Sequence, residues 1–167
     1  TIDITQAEGQ ALVRRLAAES DVVLENFKVG GLAQYGLDYD SLKAVNPRLV
    51  YCSITGFGQD GPYAPRAGYD FLIQGLGGLM SITGRPDGEE GGGPMKVGVA
   101  ISDIVTGLYA AISILAGLIG RGARGEGRAF DVALADCTLA SLVNVVQSTL
   151  VTGRAPVRYG NAHPQIV

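Results

Sequence analysis

The chain has 167 residues, with 13 Lys+Arg against 16 Asp+Glu, a net charge of −3 at pH 7 and a hydrophobic share of 47%. That is one domain's worth of chain, long enough to bury a core, and so apolar and weakly charged a sequence excludes intrinsic disorder. A sequence pI of about 5.1 argues against an electrostatic nucleic-acid footprint. Two cysteines, Cys52 and Cys137, make no disulfide framework, and one histidine beside them leaves a His/Cys metal centre almost no ligands.

Glycine accounts for 25 residues, about twice the usual share. The chain starts at Thr1 without Met, shows no basic region followed by an apolar run, and stops at Val167, so it is expected to be an internal fragment of a longer protein.

Thr5 and Glu8 have capping-box spacing, which predicts a helix start, and Leu12, Val13, Leu16 and Ala17 follow as one apolar face. Residues 21–24 (DVVL) are a buried-strand candidate, with residues 25–31 a loop off its carboxyl end. Short helices are predicted at 32–35 and, capped by Asp40, at 41–45, with Asn46 and Pro47 as punctuation. Residues 49–55 (LVYCSIT) have the strongest strand composition in the chain. A Gly/Pro loop at 56–65 precedes a helix at 69–82, where Gly75, Gly77 and Gly78 predict a close backbone approach. A polar, glycine-rich loop at 85–96 leads to a long helix at 101–121, a turn at 122–127 and a strand at 128–132. A second, largely apolar helix is predicted at 134–151, then a loop-like tail at 153–167. Helix and strand alternate, which defines the α/β class, and there is no internal repeat.

Residues 104–120 form a run of 17 without a charge, bounded by Asp103 and Arg121. A membrane span wants about 20. Gly107, Gly117 and Gly120 dilute the run, and a helix buried between layers of an α/β protein has the same pattern. A buried core helix is the expectation, with a membrane span as the alternative.

Asp103 is the most suggestive residue for chemistry. It stands between apolar Val99, Ala100 and Ile101 and the uncharged run, in a first helical turn. Backbone N–H groups and the helix dipole there favour the ionised carboxylate, and a carboxylate in an apolar setting can act as nucleophile or base. Aspartate is also a preferred residue at helix starts, so from the residues alone a plain cap is the commoner explanation.

Glu25, Asn26, Phe27 and Lys28 lie just past a strand's carboxyl end, the edge where open α/β sheets bind ligands. Asn can hydrogen-bond, Phe can stack and Lys can reach a phosphate, although an ordinary loop has the same composition. Gly120, Gly122 and Gly125 match G-x-G-x-x-G but follow a helix and precede a strand, so a helix C-terminal turn is expected rather than a nucleotide fingerprint. His163 has no visible triad partner, Cys52 reads as a small buried hydrophobe, and Asp136 with Cys137 opens a helix. No G-x-S-x-G elbow or phosphate loop occurs.

Taken in order, these segments resemble the family III CoA-transferases, closest to their succinyl-CoA:dicarboxylate branch. The resemblance runs through DVVLENFK (21–28), Leu37 with NPRLV (46–50), SITGFG (53–58) with Gly61 and Pro62, and AGYD (67–70) with QGLGG (74–78). It continues through SITG (81–84), AISD (100–103) with Gly107, and GEGR (125–128) with Asp131 and Val132. Each piece alone is modest, and the order and spacing make the match specific.

The resemblance implies that Asp103 is the catalytic aspartate, which attacks an acyl-CoA thioester to form a mixed anhydride and then carries CoA as an aspartyl thioester. It implies that Asn26, Phe27 and Lys28 match a CoA-binding Asn-Phe-Arg segment, with Lys in place of Arg, which keeps the charge and loses the bidentate fork. It further implies that Gly68, Tyr69 and Asp70 lie along the CoA. Related α-methylacyl-CoA racemases carry His where this chain has Tyr69. A tyrosine is a poor base at neutral pH, because the side chain ionises only near pH 10, and this speaks for transfer over racemisation.

The fold implied is α/β, a Rossmann-like large domain incomplete at both ends. Residues 1–152 are its central part, and residues 153–167 start a linker toward a missing C-terminal part. No permanently bound cofactor or metal is implied: the coenzyme A thioester is a substrate, with a carboxylic acid as acceptor. The intact enzyme is expected to be a cytoplasmic homodimer of interlocked rings, without nucleic-acid or membrane partners, and the fragment alone can be inactive. A racemase of the same family, and a non-catalytic CoA-binding or structural piece, remain as alternatives.

Overall fold

Strand β2 (Val50–Thr55) is the centre of a three-stranded parallel sheet in which β1 (Val22–Glu25) lies on one side and β3 (Ala129–Ala133) on the other. The registers Leu24↔Cys52 and Cys52↔Phe130 align the three strands, so their carboxyl ends share one edge. In β2, Val50, Tyr51, Cys52 and Ser53 are all buried, as expected for a parallel strand covered on both faces. The computed structural model describes residues 1–163 and Ile166.

The chain divides into two compact units. One consists of Thr1–Ala67 and Gly107–Ala133, and the other of Gly68–Thr106 and the chain from Leu134 onward. The sheet belongs to the first unit.

In that first unit, α1 (Ala7–Glu19), a 3-10 turn (Ala33–Tyr35) and α2 (Tyr39–Val45) enclose a core of Ala17, Leu32, Leu37, Leu42, Leu49 and Tyr51. Asn46 ties the C-terminal end of α1 down: its Nδ2 donates to the carbonyls of Ala17 and Ser20 at 3.0 and 2.9 Å. The Ala17 carbonyl also takes the Ser20 N–H at 3.3 Å, and the Ser20 carbonyl lies past the last turn of α1.

Two helix starts differ from expectation. The capping box does not form, because Asp3 Oδ1 accepts from both the backbone N–H and the hydroxyl of Thr5, leaving Gln6 at the N-cap. α2 begins at Tyr39 after Asp38, so Asp40 sits inside the first turn instead of capping it.

Helix α5 (Ile101–Arg124) is longer than predicted and ends at Gly125, whose φ is +78°. Gly120 and Gly122 lie inside the helix, so the G-x-G-x-x-G match is a C-terminal turn. The expectation of burial is corrected. Ser102, Thr106, Ala110 and Gly117 are buried, while Leu108, Ile112, Leu115 and Ile119 are exposed, Ile119 by 80%. The reason is a narrow seam of small residues: a Cβ on Gly117 would stand 2.6 Å from Phe130 and 3.1 Å from Val50. By length and composition alone, α5 is the one single helix among the described residues long and apolar enough to cross a membrane.

In the second unit, the helix predicted at 69–82 is broken into α3 (Asp70–Leu76) and α4 (Leu79–Ile82). Gly78 takes φ +84° between them, which a residue with a Cβ rarely adopts. The predicted close approach is at Gly77, where a Cβ would meet Thr138 Cγ2 at 3.0 Å. The apolar helix predicted at 134–151 is likewise two, α6 (Leu134–Ser141) and α7 (Val143–Thr152), bent by 84° with Val143 at φ +40°. Apolar spacing does not register such a bend.

The described part of the tail has no helix or strand. Arg158 anchors it, donating to the carbonyls of Ser81 and Arg85 at 3.1 and 3.2 Å and pairing with Asp87. His163 is in this tail. Pro164, Gln165 and Val167, the remainder of the segment predicted as a loop and linker, lie outside the described residues.

Candidate active site

The second unit contains Asp103 with Gly68, Tyr69 and Asp70, and the first contains Asn26, Phe27 and Lys28. Each group is described within its own unit.

Asp103 is the third residue of α5, inside the first turn. That turn has backbone N–H groups without intrahelical acceptors. One of them, on Ser102, donates to Asp70 Oδ1 at 2.8 Å. Asp70 is the first residue of α3, and Tyr69 is its N-cap with an extended backbone and a largely exposed ring. Asp70 is thereby brought to the start of the helix that carries Asp103.

Asp103 is exposed to solvent. Its pKa is raised above the ordinary 3.8, first by partial burial and second by the negative charge of Asp70. The helix start alone favours ionisation, so the net direction is opposite to the one expected from position in sequence. A more basic carboxylate is a better nucleophile once ionised.

The Asp70 side chain is itself held. Its Oδ2 accepts from Gln74 Nε2 at 2.7 Å, and Gln74 Oε1 accepts from the backbone N–H of Val97 at 2.8 Å. Gln74 is fully buried. It escaped the sequence reading as a functional residue, although an Asp followed four positions later by Gln on a helix is a known side-chain pair and could have marked it. The hydroxyl of Ser102 is buried with no partner among the described residues.

In the first unit, Asn26, Phe27 and Lys28 follow directly on β1, and all three are exposed. The loop is shaped from behind. Glu25 Oε2 accepts from the Phe27 N–H at 2.7 Å, and the carbonyl of Lys28 accepts from Gly31 at 2.8 Å. Such a loop leaves an amide, a ring and a cation free to meet a polar, phosphorylated ligand at a sheet's carboxyl edge.

The Gly/Pro loop after β2 lies at the same edge. Asp131 Oδ2 accepts from the Gln59 N–H at 2.7 Å, Gln59 Nε2 donates to Ser53 Oγ at 2.7 Å, and Gly58 takes φ +91°. A Cβ on Gly58 would come within 3.2 Å of Asp131. Phe57 and Tyr63 meet edge to face, and Arg66 lies over the Tyr63 ring.

The two thiols are unsuited to nucleophilic work. Burial pushes Cys52 up to about 11, with Glu25 and Asp131 adding to it, and burial also raises Cys137. Both are free. No group of three or more His, Cys, Asp or Glu that could hold a metal occurs among the described residues.

The first unit thus has a parallel α/β sheet with exposed loops at its carboxyl edge, and the second has an exposed carboxylate of raised pKa at a helix start. The chain belongs to CoA-transferase family III, whose sequence pattern matches residues 1–167. It is 57% identical over 98% of its length to a succinate–glutarate CoA-transferase of Agrobacterium fabrum, covering 40% of that protein. It is 40% identical over 99% of its length to the human succinyl-CoA:glutarate CoA-transferase, covering 37% of it. Its fold superposes on a CAIB/BAIF family protein from Brucella suis with a TM-score of 0.92 at 58% identity, over 99% of this chain and 43% of that one. The chain thus spans about two fifths of the length of the curated relatives it matches.

Proposed function

We propose that the full-length protein carrying this chain transfers coenzyme A from an acyl-CoA to a carboxylic acid, with succinyl-CoA as donor and a dicarboxylate as acceptor, and that Asp103 is the nucleophile. The observation that carries this reading is the accessible Asp103 carboxylate in the first turn of α5, its pKa raised by partial burial and Asp70. The relatives' names, succinate–glutarate CoA-transferase and succinyl-CoA:glutarate CoA-transferase, support the choice of donor and acceptor.

The steps conserve atoms and charge. An Asp103 oxygen attacks the thioester carbon, the C–S bond breaks and CoA leaves as a thiolate, giving a mixed anhydride. The thiolate attacks the Asp103 carbonyl carbon and expels the donor acid as a carboxylate, leaving an aspartyl-CoA thioester. The acceptor carboxylate attacks that thioester and releases the thiolate again. The thiolate then attacks the acceptor carbonyl, forming the new acyl-CoA and freeing Asp103. One difficult exchange is divided into easier steps, as covalent catalysis requires.

In this reading Asn26, Phe27 and Lys28 hold the nucleotide end of CoA, and Gly68, Tyr69 and Asp70 lie along its length. The CoA thioester is substrate rather than resident cofactor. The protein acts as an interlocked homodimer, which covers the exposed apolar residues of α5 with protein. Residues 1–152 are then the central part of the large domain, with the linker beginning at 153. Two free, buried cysteines agree with a cytoplasmic setting.

The test is intact-protein mass spectrometry of the full-length protein and its Asp103→Ala and Asp103→Asn forms after incubation with succinyl-CoA, with and without hydroxylamine. The expected result is a CoA-sized adduct, or a hydroxamate, that requires Asp103, with transfer lowered at least about a thousandfold in both variants. An adduct or near-normal transfer without Asp103 would assign the nucleophile elsewhere.

A further inference from the structure

Gln74 is a polar side chain in the interior of the second unit, 0% exposed. A glutamine amide has two N–H donors and an acceptor oxygen, and burying it is costly unless these are matched. Here they make three bonds to two pieces of chain, the start of α3 and the segment 97–99. Nε2 donates to Asp70 Oδ2 at 2.7 Å and to the Val99 carbonyl at 3.3 Å, and Oε1 accepts from the Val97 N–H at 2.8 Å. The segment so gripped, 97–99, leads within two residues into α5, where Ile101 N–H donates to the same Val99 carbonyl at 2.8 Å. The other oxygen of Asp70 takes the Ser102 N–H. One amide therefore fixes both the carboxylate that caps α5 and the backbone that enters it.

We propose that Gln74 is a positioning residue for Asp103: through Asp70 and the 97–99 backbone it sets where the first turn of α5, and with it the Asp103 carboxylate, stands. The proposal rests on Asp103 being the nucleophile. Gln74 touches no reacting atom in this assignment. Its effect is on the attack of Asp103 on the thioester, where a displacement of about 1 Å can cost on the order of a hundredfold in rate.

The experiment uses the full-length protein with Gln74→Met, which keeps length and removes all three bonds, and Gln74→Glu, which keeps shape and the acceptor for Val97 while losing the donors. Folding is checked by circular dichroism and thermal melting. For each folded variant, the rate of adduct formation at Asp103 and the kcat and KM for succinyl-CoA are measured. The expected result is adduct formation and kcat both lowered about 10- to 100-fold, with KM changed less than about threefold. Normal adduct formation in a folded variant would overturn the inference, as would a raised KM with unchanged kcat. Loss of fold in both variants would also overturn it, by making Gln74 a residue of stability alone. Absence of any Asp103 adduct on the unsubstituted protein would instead refute the transferase reading, so the two failures are distinct.

Discussion

Asp70 Oδ1 accepts the backbone N–H of Ser102 at 2.8 Å, so the first turn of α5 is capped by a carboxylate that lies 32 residues earlier in the chain. The same carboxylate, next to partial burial, raises the pKa of Asp103. Capping and charge therefore act together on the proposed nucleophile.

A pH dependence follows from that direction of shift. Transfer needs ionised Asp103, so the acid limb of the rate profile is expected above the ordinary carboxylate value of 3.8. Asp70→Asn removes the second cause of the shift and should move that limb to lower pH. For stability the sign is the reverse of the usual aspartate case. With the folded pKa above the unfolded one, this group's contribution is fully present below about 3.8 and is lost as pH rises through the folded value. Asp103→Asn should remove this slope from urea melts taken across the acid range. An unmoved rate limb in Asp70→Asn would deny the coupling.

Lys28 stands exposed in the loop after β1, where its carbonyl accepts from the Gly31 N–H. If it meets a phosphate of CoA, Lys28→Ala should raise KM for the acyl-CoA about tenfold, or 1.4 kcal/mol, and leave kcat nearly unchanged. Lys28→Arg should match or improve on the natural residue, because the guanidinium offers a bidentate fork. Steady-state kinetics at two salt concentrations would check this. A KM indifferent to both substitutions would remove Lys28 from the binding loop.

Tyr69 occupies the N-cap of α3 with its ring largely exposed. With no histidine there, no proton transfer at the substrate's α-carbon is expected. Incubation of the full-length protein with a 2-methylacyl-CoA in deuterated water should leave the α-hydrogen in place by NMR, while acyl transfer proceeds. Exchange faster than transfer would favour the racemase alternative.

Gly127 lies just ahead of β3, its N–H donating to the Pro47 carbonyl at 2.9 Å. A Cβ there would stand 1.9 Å from the Leu49 carbonyl oxygen and 2.4 Å from its carbon. Backbone on both sides must then shift, so Gly127→Ala should cost about 3 kcal/mol. Thermal melting should show the midpoint lowered by roughly 10 °C. An unchanged midpoint would mean that β3 can move away from β2 freely.

Much of the first unit was legible from local pattern. All three strands were found within one residue at each end, because each carries its β-branched and apolar residues in one short run; the burial expected of β1 is corrected, since none of its residues is buried and Leu24 is 55% exposed. The long helix was found for a similar reason. Asp103 was singled out from its place at a helix start, and Asn26, Phe27 and Lys28 from their place after a strand. Gln74 was not: its spacing from Asp70 marks a side-chain pair, but its burial depends on the segment at 97–99.

Sequence by itself determined the α/β alternation, the membership of a family and the residues suited to chemistry, because these depend on residue type and spacing along the chain. Only the tertiary structure decided that residues 69–82 and 134–151 are each two helices, that Thr5 serves Asp3 rather than a capping box, and that α5 buries one stripe of small residues. It also decided that Asp131 holds the loop at Gln59, 72 positions away. The α5 seam and the Asp131 bond depend on contacts between segments distant in sequence, the two helix breaks on left-handed backbone at Gly78 and positive φ at Val143, and the Thr5 bond on a local choice of acceptor that spacing does not fix. Periodicity contains no such information.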